Sequence, residues 1–311
     1  MHSNTTLPVG RGILYILVAA VAWGTGGAVA AVLYETSGLG PVAVSFWRFA
    51  AGVLLLGAFH LLTRRRRRPV TRQSRRQVVI TGVGLVIFQT AYFAAVGYAG
   101  LAIATVVTLG LGPVLIAVGA RLTTDERLGR GGILTVVLAL LGLILLVGGG
   151  GATSGTAPAL GLACAALSAS GYAAVTLLNR RSGQAGDPLT TTLGGFIVGM
   201  VCLLPAAMIE GLLPTSGSPG QTVALLAYLG AAPSALAYGL FFAGLAVVRA
   251  TTAAVLTLAE PLAAAVIAVL WLDERLTVAA TAGAVVLAGA VLVLTWSERR
   301  PTPAAAGAHS G

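Results

Sequence analysis

Pro113 to Leu128 reads PVLIAVGARLTTDERL, and Pro261 to Leu276 reads PLAAAVIAVLWLDERL. Nine of these 16 paired positions are identical at an offset of 148, close to half of the 311-residue chain. A bias toward Ala, Val and Leu raises any such score. It does not place a shared Asp-Glu-Arg-Leu twelve residues after a shared proline. Nearby offsets pair Ala91-Tyr92 with Ala237-Tyr238 and Pro41 with Pro188. The chain is a tandem repeat of one unit.

Composition decides what the unit is made of. Hydrophobic residues make up 57% and charged residues 9%, against roughly 25% charged in a soluble domain. Such a chain could not cover a soluble fold with polar surface, and it is far too apolar for disorder. A helix needs about 20 apolar residues to cross the hydrocarbon core. Ten stretches qualify, at about 12–34, 41–63, 78–98, 101–121, 131–149, 157–178, 189–208, 221–243, 250–272 and 277–296. The first is longer than a signal-peptide core and reads as a retained helix. Five crossings per unit is an odd number, so the second unit runs opposite to the first. The expected fold is an all-α integral membrane protein with ten transmembrane helices in two inverted five-helix repeats. The expected boundaries are an N-terminal tail at 1–11, repeats at 12–150 and 157–297, and a disordered cytoplasmic tail at 298–311. Inverted repeats are typical of secondary transporters, whose substrate sites sit near the midplane between the halves.

Orientation follows from arginine, since there is no lysine. With the N-terminus in the cytoplasm, seventeen of the nineteen arginines fall inside, as the positive-inside rule requires. Arg275 lies outside and Arg48 within a span. Eight arginines occupy 64–76, including the run Arg64–Arg68. They hold that loop inside and suit anionic lipid headgroups. Without aromatic platforms or a recognition helix, the net charge of +10 does not imply nucleic acid. Cys164 and Cys202 lie in apolar runs and read as buried small hydrophobes. His2, His60 and His309 are too scattered for a metal site or a catalytic triad. No Walker motif is present, so ATP-driven transport by this chain is not expected.

The chemistry then rests on a few residues inside the spans. Glu260 lies about a dozen residues before Asp273, roughly 18 Å along a helix, near the membrane interior. A carboxylate there is costly and should face a cavity or a partner. It reads either as a proton or substrate-amine site or as a structural acid bonding neighbouring helices. Ala253, Thr257, Glu260, Ala264 and Ala268 form a small and polar stripe at helical spacing. Arg48, in Phe46-Trp47-Arg48-Phe49, is the second buried charge. It reads as a snorkelling residue, an ion-pair partner or an anion-binding group. Pro113, Pro233 and Pro261 each remove a backbone bond within a span. Trp23, Gln89, Tyr92, Tyr172 and Tyr238 are polar aromatics and amides inside spans, suited to a ligand or to interhelical bonding. Asn179 is near a cytoplasmic end and reads as interfacial.

These residues carry a resemblance. Ala91-Tyr92-Phe93-Ala94-Ala95 through Pro113 to Asp125-Glu126-Arg127-Leu128 resembles the latter part of an EamA domain. Ala237-Tyr238-Gly239-Leu240-Phe241-Phe242 through Glu260-Pro261 to Asp273-Glu274-Arg275-Leu276, then Ala282-Gly283 and Ala288-Gly289, resembles a second. Trp23-Gly24 and Arg48-Phe49 match the opening of the first. The chain thus looks like a member of the drug/metabolite transporter superfamily, of the ten-helix EamA type. The second unit departs from the pattern at Ser170-Gly171-Tyr172, where a tryptophan is often found. The resemblance implies a proton- or gradient-driven exporter of a small metabolite, amino acid or drug, in a bacterial inner membrane, without a cofactor. Uptake or exchange is the alternative, and a membrane-embedded enzyme is a more remote one. It implies a central cavity lined by Trp23, Gln89, Tyr92, Thr108, Tyr172, Tyr238, Thr257 and Glu260.

Overall fold

The computed structural model describes residues 7–62, 72–123, 129–148, 157–182, 188–271 and 275–299. The Arg64–Arg68 run, Asp125–Leu128, Asp273, Glu274 and the two tail ends lie outside the described residues. Among the described residues ten helices are long and apolar enough to cross a membrane. Elements α1 to α5 are Val9–Ser37, Pro41–Leu62, Arg72–Ala99, Leu101–Thr123 and Arg130–Gly148. The second half opens with α6 (Pro158–Ser182) and α7 (Pro188–Glu210). Its third crossing is split into α8 (Pro219–Gly230), a π-helical turn (Ala231–Leu236) and α9 (Ala237–Leu245). Its fourth is split into α10 (Ala250–Leu256) and α11 (Ala259–Trp271), and α12 (Val278–Arg299) closes the chain.

Local sequence sets the helix ends. Helices α2, α6, α7 and α8 each begin with a proline, whose missing N–H is an orphan at that position anyway. Helix α1 ends at Gly38, which takes a left-handed φ of 69°, a conformation glycine adopts without steric cost. Gly100, at φ 88°, is the single residue between α3 and α4.

The packing repeats under exchange of the two halves. Helix α3 lies on α6 and α7, as the split third crossing of the second half lies on α1 and α2. Helix α4 lies on α6 as α11 lies on α1, while α2 meets α7 and α5 meets α12. With five crossings in each half, this is the arrangement of two inverted repeats. Small residues permit it: a Cβ on Gly142 in α5 would stand 2.6 Å from the Leu287 nitrogen of α12. Close backbone approach of this kind is how helices associate where lipid offers no hydrophobic drive. Large side chains such as Leu54, Ile144, Ile209, Val278 and Leu292 are exposed on the outside, as a lipid-facing belt requires.

Two expectations change. Cys202 is exposed on α7 and Cys164 is half-buried; a lipid-facing position suits a small thiol as well as a core does. Asn179 is buried at 4% exposure. Its side-chain amide donates to the Thr81 hydroxyl at 3.0 Å and its carbonyl accepts from Gln77 at 3.2 Å. It joins α6 to α3 rather than facing an interface.

Candidate functional site

The break in the ninth crossing has a local cause. Pro261 has no N–H to give the carbonyl of Thr257. That oxygen accepts instead from the Glu260 N–H at 3.0 Å, one residue earlier. Leu258 N–H reaches back to Val255 O at 3.1 Å, so the chain tightens before α11 starts. The Thr257 hydroxyl donates to Ala254 O at 2.8 Å. Having spent its hydrogen there, it accepts from the Tyr172 hydroxyl, 3.0 Å away on α6. Pro113, the repeat mate of Pro261, sits within an unbroken α4.

The break places Glu260 in the first turn of α11. Its carboxylate is half-buried and makes no hydrogen bond or ion pair with a described residue. Helix α1 presses against its backbone: a Cβ on Gly24 would stand 2.7 Å from the Glu260 carbonyl oxygen and 2.8 Å from Ala263 Cβ. Trp23, the preceding residue on α1, turns to the rings of α9. Tyr92, Tyr172, Tyr238 and Arg48 all lie within electrostatic range of Glu260.

An aromatic cluster links α1, α6 and α9. Trp23 meets Tyr238 edge-on at 5.0 Å between ring centroids and Phe241 at 5.3 Å. Tyr172 lies 6.3 Å from Phe241 and 5.5 Å from Phe88. Tyr238 continues to Phe196 at 5.4 Å, and Phe196 stacks on Phe49 at 5.0 Å. The Trp23 indole N–H is buried without a hydrogen-bond partner. A buried unpaired donor of this kind costs about 1–3 kcal/mol, so it marks a place where an acceptor belongs.

The π-helical turn serves the second buried charge. Pro233 cannot bond Leu229 O, and the Ser234 hydroxyl takes that place at 2.7 Å. The same hydroxyl oxygen accepts a long bond from Arg48 Nε at 3.4 Å. π turns inside α-helices frequently accompany functional sites. Here the turn carries both the Arg48 contact and, one helical turn on, Tyr238. No ion pair joins Arg48 to any described acid.

The structure thus brings Trp23, Tyr172, Tyr238, Thr257 and Glu260 to one place. Tyr92 is near them, but its hydroxyl bonds Thr105 at 2.9 Å. Gln89 is half-buried without a described partner. Thr108 is buried, and its hydroxyl donates to Ala165 O at 3.4 Å; it ties α4 to α6. Phe49, Phe88, Phe196 and Phe241 join this ring cluster and Ser234 meets Arg48; none was named among the expected cavity-lining residues. The spacing of Phe241 three residues after Tyr238, and of Phe88 four before Tyr92, is the signal that could have found two of them. No three His, Cys, Asp or Glu side chains gather to hold a metal among the described residues. A half-buried acid within a span can instead hold a proton or an organic cation.

At one end of the bundle the halves are stitched together. Ser37 O, at the end of α1, accepts from Thr215 N and Ser216 N at 3.0 and 3.3 Å. Trp47 Nε1 donates to Leu212 O at 2.8 Å. The Glu210 carboxylate accepts from the Ala43 N–H at 2.6 Å, in the first turn of α2. Toward the other end, Arg180 of α6 donates to Leu245 O and Ala246 O at 3.4 and 3.0 Å, where α9 finishes. Beside the start of α10 lies a cavity of about 190 Å³, lined by Thr135, Arg249, Thr251, Thr252 and Ser297 among others.

Comparison with known proteins adds the following. The EamA-like transporter family model matches residues 10–148 and 159–296. The "Uncharacterized transporter YwfM" of Bacillus subtilis is 28% identical over 270 residues, covering 85% of this chain and 86% of its own. The "Uncharacterized inner membrane transporter YicL" of Salmonella typhimurium is 26% identical over 276 residues, covering 86% and 89%. A solved structure, titled only as the crystal structure of a protein, superposes with a TM-score of 0.78 at 22% identity over 93% of this chain and 98% of its own. At that identity the likeness is one of fold.

Proposed function

Because the chain belongs to the EamA-like transporter family and is a multi-pass bacterial membrane transporter, we propose that it is a secondary carrier. It exports a small metabolite, amino acid or drug by alternating access, driven by a proton or substrate gradient. The observation that carries this reading is Glu260, an acid without a described partner at the break of the ninth crossing, within electrostatic range of Tyr172, Tyr238 and Arg48. Insertion scales put the cost of an acid at the helix centre at about 2.5–3.5 kcal/mol. A group that repays this cost by binding a proton or an ammonium is suited to a carrier. A proton crossing 100 mV gains about 2.3 kcal/mol, enough for modest concentration of a substrate.

On this reading the termini are cytoplasmic, and the arginines at 64–76 rest on anionic headgroups. The stitched end carrying Ser37, Glu210 and Trp47 is then the outer one. The cavity beside Arg249 is at the inner one.

The test starts from purified protein. Amino acids, amines and organic cations are screened for thermal stabilisation, and the hits are assayed in proteoliposomes. Glu260→Gln should retain counterflow, which needs no gradient, and lose flux driven by a pH gradient. Undiminished pH-driven flux in that variant would remove Glu260 from coupling.

A further inference from the structure

The cavity of about 190 Å³ lies between the starts of α5 and α10 and the last turns of α12, away from Glu260 and the rings. Its polar wall comes from three sources. The first bond of α5 runs from the Ile133 N–H to Gly129 O at 3.0 Å, which leaves the N–H groups of Arg130, Gly131 and Gly132 without an intrahelical partner. Gly129, Gly131 and Gly132 line the cavity, and a Cβ on Gly129 or Gly131 would meet nothing within 4 Å. No side chain covers those donors from these positions. Thr251, only 4% exposed, also lines the cavity, and its hydroxyl bonds no described residue. Arg249 lines it as well, and Arg130 is exposed between the glycines. The remaining wall is apolar, with Val136 on α5 and Val293 on α12.

We propose that this cavity seats the phosphate of an anionic phospholipid. The phosphodiester faces the first turn of α5, Arg249 and the Thr251 hydroxyl, and an acyl chain follows Val136 and Val293 toward the lipid-facing belt. The site is separate from Glu260 and does not rest on the direction or the coupling of transport.

Depth and charge both select a lipid. Trp296, 65% exposed and next to the cavity-lining Ser297, is of the residue type that sits at headgroup level. On one side of that level Ile133, Leu134, Val137, Leu292 and Val293 are exposed on α5 and α12, a surface that suits acyl chains and offers a hydrated ion nothing. At the cavity's own end Arg121, Arg130 and Arg249 are exposed. A helix start binds phosphate through its uncovered N–H groups and its dipole, and basic pockets between membrane helices take anionic headgroups. A zwitterionic headgroup brings an ammonium against the guanidinia and loses part of that attraction. The volume takes a phosphodiester and not a whole lipid, so the chains lie outside along the helices.

The experiment uses the full chain, delipidated in detergent, with phosphatidylglycerol, phosphatidylethanolamine and phosphatidylcholine of one acyl composition. Native mass spectrometry counts the lipids retained, and the thermal midpoint follows each titration. Phosphatidylglycerol should bind about fivefold or more tightly than either zwitterionic lipid, the worth of one guanidinium near a membrane surface. Gly131→Leu places a good helix former where a side chain has open space. It should fill the cavity and erase the preference, with the midpoint of the lipid-free protein kept. Arg249→Gln should lower the preference about fivefold, and Arg249→Lys should retain part of it. Thr251→Val should weaken phosphatidylglycerol about threefold. Changing Arg64 to Arg68 together to glutamine should leave the preference intact, which separates this site from that loop. The proposal is overturned if the three lipids bind alike, if neither Gly131→Leu nor Thr251→Val alters the preference, or if the loop variant abolishes it. It is overturned as well if inorganic phosphate or glycerol 3-phosphate raises the midpoint as far as phosphatidylglycerol does, since the occupant is then a soluble anion.

Discussion

Ser234→Ala tests whether the π-helical turn is held by one hydroxyl. The Ser234 hydroxyl makes two bonds, and they are unequal. The bond to Leu229 O is 2.7 Å long, between residues with 0% exposure. The bond from Arg48 is 3.4 Å and interhelical; membrane bonds of that kind average about 0.6 kcal/mol. The larger loss is therefore the stranded carbonyl, at about 1–3 kcal/mol. For a chain of this size that is a fall of roughly 2–10 °C in thermal midpoint. Pro233→Ala supplies the control. It restores an N–H at the position that would bond Leu229 O in a regular helix. In the Pro233→Ala background, Ser234→Ala should then cost less than half as much. Midpoints of the four proteins in one detergent give the coupling energy directly. Equal losses from Ser234→Ala in both backgrounds would refute the claim that the hydroxyl stands in for the missing proline donor.

Three further outcomes are expected. Gly24→Ala drives a methyl to 2.7 Å from Glu260 O; it should cost about 1–3 kcal/mol by overpacking and push α1 off α11, and an unchanged midpoint would count against that contact. Glu210→Ala strips the first turn of α2 of its anionic acceptor, worth about 1 kcal/mol; amide exchange at Ala43 should speed up roughly fivefold, and wild-type exchange there would deny the cap. A reporter fused after Arg76 should signal from the cytoplasm, and an extracellular signal would reverse the orientation.

Much of the architecture could be read from hydropathy, and the reason is the bilayer. Backbone groups in hydrocarbon must be satisfied within the segment, so twenty apolar residues leave helix as the outcome, and the ten stretches correspond to ten membrane-length helical spans among the described residues. The site was legible only where a polar atom interrupts an apolar run, as at Trp23, Tyr172, Tyr238, Thr257 and Glu260. Phe49, Phe88, Phe196 and Phe241 were not, because a helix that is apolar all round gives no periodic sign of which face turns inward. The breaks were half legible. Proline announces a missing bond at positions 113, 233 and 261, but packing decides whether the helix opens. Thus α4 runs through Pro113, whereas the chain ahead of Pro261 tightens beside Tyr172. Ser234 was hidden for a simpler reason: a serine bonded to its own helix looks, in sequence, like any small residue.

The symmetry of the scaffold and the asymmetry of its charges belong together. At the repeat offset of 148, the mate of Glu260 is Gly112, which packs against the Tyr172 ring, where a Cβ would stand 3.2 Å from Cδ1. At the offset of 147 set by Pro41 and Pro188, the mate of Arg48 is Gly195. Where one half carries a charge, the other carries no side chain at all. A scaffold whose halves pack alike can exchange their conformations at little cost, because each shape is already adopted by the other half. Charges present once each do not exchange with it. Under the proposed alternating access they stay fixed on α2 and α11 while the packing around them alternates. On that proposal the same acid and the same guanidinium are met from either side of the membrane. Two copies of each would instead make two sites, with like charges opposed across the centre of the membrane.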